Sequence, residues 1–375
     1  MQKTERYLAL DVLRGITVAF MILVNTPGSW QHIYAPLKHA AWHGCTPTDL
    51  VFPFFLFVVG VSMFFSFGKQ EGQGRNKLLL KTLKRALLIF AIGLFLNSYP
   101  QWSIDFSQLR IMGVLQRIAV AYLLAALLVL FLRSTRAVIF SGCLILFAYW
   151  GILWMWGGED PYSLIGNAAI GFDAALLGEN HLYKGFIHEG QRVPFDPEGL
   201  LSSLPAMVTV LIGYLAGNLI KSNKKEIVPV KLMLWGLLFA LAGALWGLVF
   251  PINKPLWTSS YVLYTAGLAA ILFGLLIWII DLKGYRRWTS FFVVFGVNPL
   301  FLFALSGLWA KTLGRLIRIE TADGTLISGS AWIYQNVFLP IAGTYNGSLL
   351  YAIAHVIVFW LIGWVLYRRK IFIKV

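Results

Sequence analysis

The chain has 375 residues, 58% of them hydrophobic and only 13% charged, with a formal net charge of +15. A soluble domain carries about 25% charged residues and must keep a wetted exterior, so this composition excludes a water-soluble globule and makes lipid the solvent for most of the chain. The basic residues sit in short stretches between apolar runs, where the positive-inside rule expects them, which argues against nucleic acid as the partner.

A helix needs about 20 largely apolar residues to cross ~30 Å of hydrocarbon. Such runs lie near 7–26, 47–67, 78–98, 111–131, 136–156, 200–220, 231–250, 257–280, 290–310 and 347–367. They predict an all-α, polytopic bundle of about ten transmembrane helices, a single domain over 1–375. The stretch 329–343 is shorter and more polar and reads as interfacial or re-entrant; an eleventh span there is the weaker option. The first run enters a span without a small-residue cleavage site, so no cleavable signal peptide is expected.

Loop charge predicts orientation. Lys3 and Arg6 precede the first span, and Lys69, Arg75, Lys77, Lys81, Lys84 and Arg85 crowd the second connection. Arg133 and Arg136, then Lys221, Lys224, Lys225 and Lys231, then Lys283, Arg286 and Arg287 mark later connections. Arg368, Arg369, Lys370 and Lys374 follow the last span. Ten alternating spans put all of these on one side, so both termini are expected in the cytoplasm, with the protein multi-pass in the plasma (inner) membrane. An eleventh span would place the basic tail outside. The external side then receives 27–46, 99–110, a long loop at 157–199 and an external or interfacial segment at 311–346. The 157–199 loop is acidic, with Glu159, Asp160, Asp173, Glu179, Glu189, Asp196 and Glu198. No internal repeat is evident, so the inverted-repeat signature of many secondary transporters is missing.

Ionisable groups at membrane depth are costly and point to function. Asp11 and Arg14, three apart, share a helix face and read as an ion pair or as a ligand-facing arginine. Gln116 and Arg117 fall in the fourth span, His355 in the last, Asn298 in the ninth; Asn25 closes the first span and Asp49 opens the second. Together they predict a polar chamber in the outer half of the bundle. His39, in Lys38-His39-Ala40-Ala41-Trp42-His43-Gly44, is the sharpest candidate, because imidazole can take a proton near neutrality and return it. Asp49 could orient it; equally, Thr46-Pro47-Thr48-Asp49 reads as a helix start with Thr46 as cap. His39 and His43 are four apart with His32 upstream, but no Glu lies between them as in zinc hydrolases, so no metal is expected. Cys45 and Cys143 have neither metal nor redox spacing.

These residues carry a resemblance. Leu10-Asp11-Val12-Leu13-Arg14-Gly15, Asn25, the His39 block and Asp49-Leu50-Val51-Phe52-Pro53 resemble the heparan-α-glucosaminide N-acetyltransferase family of transmembrane acyltransferases. Arg110 to Arg117, Phe195 to Leu201, Pro251 to Leu263, Gly296 to Pro299 and Tyr367 to Phe372 agree in order over nearly the whole chain. The resemblance implies transfer of acetyl from cytosolic acetyl-CoA to the amine of a terminal glucosamine on the far side. It places the family's active-site histidine on His39, its asparagine on Asn25 and its Gln-Arg pair on Gln116 and Arg117. Ala41 and His43 stand where the human-type motif has Ser and Asn, and the lumenal domain that precedes the spans in the lysosomal enzyme is not expected; both point to a simpler bacterial homologue whose acceptor need not be heparan sulfate.

The expected roles follow. His39 is the base or a transiently acetylated nucleophile, helped by Asp49 and Asn25. Arg14, Lys81, Lys84, Arg85, Gln116 and Arg117 are expected to hold acetyl-CoA, whose phosphates suit a basic vestibule. Trp42, His43, Asn298 and His355 are expected to face the acceptor. Asn25, Arg117 or His355 would stabilise the oxyanion. A homodimer is left open. The rival from another class is a permease for glucosamine or N-acetylglucosamine.

Overall fold

The structure, a computed structural model, describes residues 7–70, 72, 74–100, 105–132 and 134–373; of the basic clusters, Lys3, Arg6, Arg133 and Lys374 lie outside these. The expected all-α bundle is what the chain forms. In order come α1 (Leu8–Asn25), α2 (Pro47–Gly68), α3 (Arg75–Ser98), α4 (Val114–Leu132) and α5 (Thr135–Trp156). A short α6 (Ala168–Leu177) and the hairpin β1 (Phe186–His188) and β2 (Gln191–Val193) occupy the long loop. Then follow α7 (Ser203–Ser222), α8 (Val228–Trp246), α9 (Ser259–Leu276), α10 (Thr289–Val297) and α11 (Pro299–Lys311). A second hairpin, β3 (Arg318–Glu320) and β4 (Leu326–Ser328), precedes α12 (Gly329–Ile333) and α13 (Leu339–Arg368).

Among the described residues, eight helices are long and apolar enough to cross a membrane, and the α10–α11 pair makes a ninth if it counts as one span. The protein is therefore a multi-pass integral membrane protein. The remaining expected span, α3, has 24 residues, but its first half carries Arg75, Lys77, Lys81, Lys84 and Arg85, so apolarity alone does not mark it. It packs along α4 through Ala86, Ile89 and Gly93. The run expected at 290–310 is not one straight helix. It bends by 82° at Asn298–Pro299, because proline has no N–H to continue the ladder. The segment at 329–343 does not span. Gly343, with φ 75°, reverses the chain, and a Cβ on Gly347 would lie 2.7 Å from the Phe338 carbonyl oxygen, so the short helical stretch folds back on α13.

The core is held by close helix approach. A Cβ added at Gly60 of α2 would lie 1.9 Å from the Val210 carbonyl oxygen, and one at Gly213 of α7 would lie 2.0 Å from that of Phe57. Backbones can meet this closely only where side chains are absent, and in lipid such contact replaces the hydrophobic drive to associate. Around these seams Leu13, Ile22, Phe57, Phe273 and Phe295 are buried, whereas Phe140, Leu144, Leu234 and Leu245 on α5 and α8 are bare, as lipid-facing residues should be.

Candidate active site

The helix ends of α1, α2, α4, α7 and α9 meet on one face of the bundle, and the loops between them are tied together by hydrogen bonds rather than by regular structure. α2 starts as its sequence requires: Thr46 caps it, Pro47 occupies the first helical position, and Asp49 Oδ2 accepts the Thr46 N–H at 3.0 Å. The same oxygen accepts the Ala40 N–H at 3.0 Å, so a capping residue also folds the 38–46 loop over the helix end. The loop between α8 and α9 completes the wall. Asn253 donates to the Trp42 carbonyl at 3.0 Å and accepts the Leu256 N–H at 2.8 Å, while the Gly44 N–H donates to the Ile252 carbonyl at 2.7 Å. Trp42 donates to the Tyr162 carbonyl at 2.8 Å and packs edge-on against Phe186 and Phe195.

Inside this frame His39 Nδ1 lies 2.6 Å from Asp49 Oδ1. Two bare acceptors would repel at that distance, so Nδ1 carries the proton and donates it, leaving Nε2 with a free lone pair. The imidazole is about half exposed, whereas Asp49 is 1% exposed. A buried carboxylate orients a half-open imidazole, the arrangement of a general base or nucleophile. Lys254 stands beside the pair, its Nζ 3.4 Å from Asp49 Oδ1 and 3.0 and 3.5 Å from the two ring nitrogens. Burial pushes Lys254 below the usual lysine range, against the pull of Asp49 and Glu198. Burial likewise lowers His43, and with help from Asp49 it pushes the Cys45 thiol up to about 12. Tyr261, fully buried, donates to the Asp49 backbone carbonyl at 2.6 Å and anchors the dyad from below.

The other expected residues divide. Trp42 and His43 share the His39 loop, though His43 is turned to Asn253. Asn25 ends α1 exposed, with no hydrogen bond to the dyad among the described residues. Arg117 lies in the first turn of α4, because 110–113 is irregular and the helix begins only at Val114. It is fully buried behind Trp257, its guanidinium 4.9 Å from that ring. Its Nη2 donates to Ser202 and to the Gly199 carbonyl, while Nε, Nη1 and Gln116 Nε2 are buried without hydrogen-bond partners. His355 is a core residue, bonded through Nδ1 to the Tyr351 carbonyl and packed at a tilt against the Tyr351 ring. Asn298 marks the α10–α11 break, where its amide donates to the Ile371 carbonyl and accepts the Ile373 N–H, so the chain's own tail occupies it. The acidic loop is largely structural. Asp196 and Glu198 bind Arg110, and Asp173 accepts the Leu200 and Leu201 N–H groups.

Arg14 and Arg85 come together in a cavity of about 310 Å³ in the opposite half of the bundle, with Ser62, Tyr122, Pro299 and Ile373 in its wall. Arg14 is paired with Asp11 at 3.2 Å, as expected, and also donates to Ser62. Arg85 lies over the Tyr122 ring, its Nε buried without a hydrogen-bond partner. Lys81 and Lys84 are exposed outside this cavity. Phe55, also in the cavity wall, is six residues along α2 from Asp49, about 9 Å of helix rise. Between them Phe52 packs on Trp257, ring centroids 5.1 Å apart. Among the described residues no group of three or more His, Cys, Asp or Glu could hold a metal ion, and both cysteines are free.

Lys254 and Asn253 were missed as site residues. The available signal was a lysine between Pro251 and Pro255, in a short loop where no topogenic charge was required.

The family model described as heparan-alpha-glucosaminide N-acetyltransferase, catalytic, matches residues 6–243, which include His39, Asp49 and Arg85. The chain is 28% identical over 351 residues to the heparan-alpha-glucosaminide N-acetyltransferase of Homo sapiens, covering 80% of this chain and 52% of the relative. It is 28% identical over 352 residues to that of Mus musculus, covering 80% and 53%. It thus spans about half the length of the curated relatives it matches. With the match running through the His39–Asp49 dyad and the arginine-lined cavity, the chain belongs to the heparan-alpha-glucosaminide N-acetyltransferase catalytic family.

Proposed function

We propose that the chain is a transmembrane acetyltransferase, moving acetyl from acetyl-CoA to the amine of a glucosamine-like amino sugar. The observation that carries this is the buried Asp49 holding Nδ1 of a half-open His39, on a face the family match includes. The acceptor amine hydrogen-bonds Nε2. As its lone pair attacks the thioester carbonyl, Nε2 takes its proton; collapse expels the CoA thiolate, which leaves with the C–S electron pair and takes that proton back.

The positive-inside rule then puts the basic loops and both termini in the cytoplasm, and the dyad on the other side, as in a plasma (inner) membrane protein. Acetyl-CoA enters from the basic face. Its phosphates suit Arg85, whose buried Nε lacks a partner, and Arg14, with Lys81 and Lys84 at the surface around them. For the thioester to reach His39, Phe52 and Trp257 must part. Arg117 supports that layer from behind.

The test is His39→Ala in proteoliposomes, with radiolabelled acetyl-CoA on one side and glucosamine on the other. The variant should fold and bind CoA but lose transfer by about 10²–10⁴-fold. Unimpaired turnover would refute the assignment, and uptake of intact glucosamine without acetyl-CoA would make the chain a permease.

A further inference from the structure

The proposed reaction develops a negative oxygen, and the groups expected to meet it are elsewhere. Arg117 is sealed behind Trp257, His355 is bonded to its own helix, and Asn25 makes no hydrogen bond to the dyad among the described residues. The geometry points to Lys254 as the catalytic oxyanion donor, the cation that meets the acetyl carbonyl oxygen when the amine attacks beside His39.

Lys254 Nζ is 3.0 and 3.5 Å from the two ring nitrogens, so it sits between them rather than along either lone pair. It therefore does not block Nε2. Asp49 Oδ1, 3.4 Å away, holds the ammonium in place, and the side chain keeps one-fifth of its surface open beside the half-exposed imidazole. An amine bonded to Nε2 can attack a carbonyl whose oxygen is turned back over the ring towards Nζ, the approach an oxyanion donor needs. In the tetrahedral adduct the C=O pair moves onto oxygen and an Nζ–H donates to it. Collapse restores the C=O, breaks C–S and releases the ammonium unchanged. The role does not depend on His39 being base rather than nucleophile, since either attack creates the same oxygen. It rests on the acetyltransferase reading, and it lies outside the 6–243 family match.

The role also has a pH signature. Asp49, Glu198, the Cys45 thiol and the His39 imidazole face Lys254. The carboxylates favour its charge and burial disfavours it; burial wins, lowering its pKa. The active form is the ammonium, so kcat should fall with rising pH before the ordinary lysine value of about 10.4 is reached.

The experiment measures kcat and KM for acetyl transfer to glucosamine, with CoA release followed in parallel, for the parent, Lys254→Met and Lys254→Arg from pH 6 to 10.5. Lys254→Met should lose about 10²–10³ in kcat with little change in the KM for acetyl-CoA. Lys254→Arg should keep at least about one-tenth of kcat and lose the alkaline limb, because guanidinium does not titrate there. Parental kcat in Lys254→Met, a KM effect alone, or an alkaline limb that survives in Lys254→Arg would overturn the role. Should Lys254→Met fail to fold, the parent's own limb decides: a kcat flat to about pH 10.4 overturns the role. A parent that neither acetylates glucosamine nor releases CoA would sink the acetyltransferase reading itself, and this role with it.

Discussion

Asp49→Asn exchanges one atom and tests the site more sharply than truncation. Asp49 Oδ2 accepts the Ala40 and Thr46 N–H groups at 3.0 Å each, so the amide oxygen must stay on that side. The NH₂ group then takes the Oδ1 position, 2.6 Å from His39 Nδ1 and 3.4 Å from the Lys254 ammonium. A donor now faces the ring, and Nδ1 must accept. The imidazole proton moves to Nε2, the nitrogen that has to be bare. In serine-hydrolase triads this change costs about 10⁴ in kcat with the geometry intact, which is about 5.4 kcal/mol of barrier at 1.36 per tenfold. A kcat loss of about 10³–10⁴ is expected here. Fold stability should fall by about 2–3 kcal/mol, for a charge-assisted bond lost beside a lysine deprived of its anion. The assay is acetyl transfer in proteoliposomes, with thermal unfolding in detergent for stability and ¹⁵N-histidine NMR for the tautomer. A folded Asn variant with kcat within about tenfold of the parent would refute the reasoning.

Further outcomes are specific enough to check. Arg85→Gln should raise the KM for acetyl-CoA by about tenfold or more at constant kcat, since a charged contact is worth about 1.5–3 kcal/mol. Lys84→Gln, exposed at the surface outside the cavity, should raise it less; equal effects in the two would mean only bulk surface charge matters. Gly60→Val should destabilise the bundle by about 1–3 kcal/mol or more, because its Cβ would meet the Val210 carbonyl oxygen at 1.9 Å. Unchanged unfolding in detergent would show that the α2–α7 seam is looser than described.

Apolar run length and charge were enough to establish a multi-pass helical protein, because hydrocarbon forces every backbone group to be satisfied within its own helix. Thr46-Pro47-Thr48-Asp49 marked a helix start and the His39 block marked a candidate site, since capping and local motifs act within a few residues. The 82° break at Asn298–Pro299 and the fold-back at Gly343 were less visible, for each depends on what the neighbouring segment packs against. So were the sites of Arg117 and His355. A polar residue in a span must face the protein interior, but hydropathy does not say whether a cavity or another side chain meets it there. Only the tertiary structure brought Lys254 beside His39, 215 positions away, and paired Arg14 with Arg85 across one cavity. Sequence alone determined which groups lipid would not solvate; the packing of helix ends, each closed by a loop from a distant part of the chain, decided which of them meet.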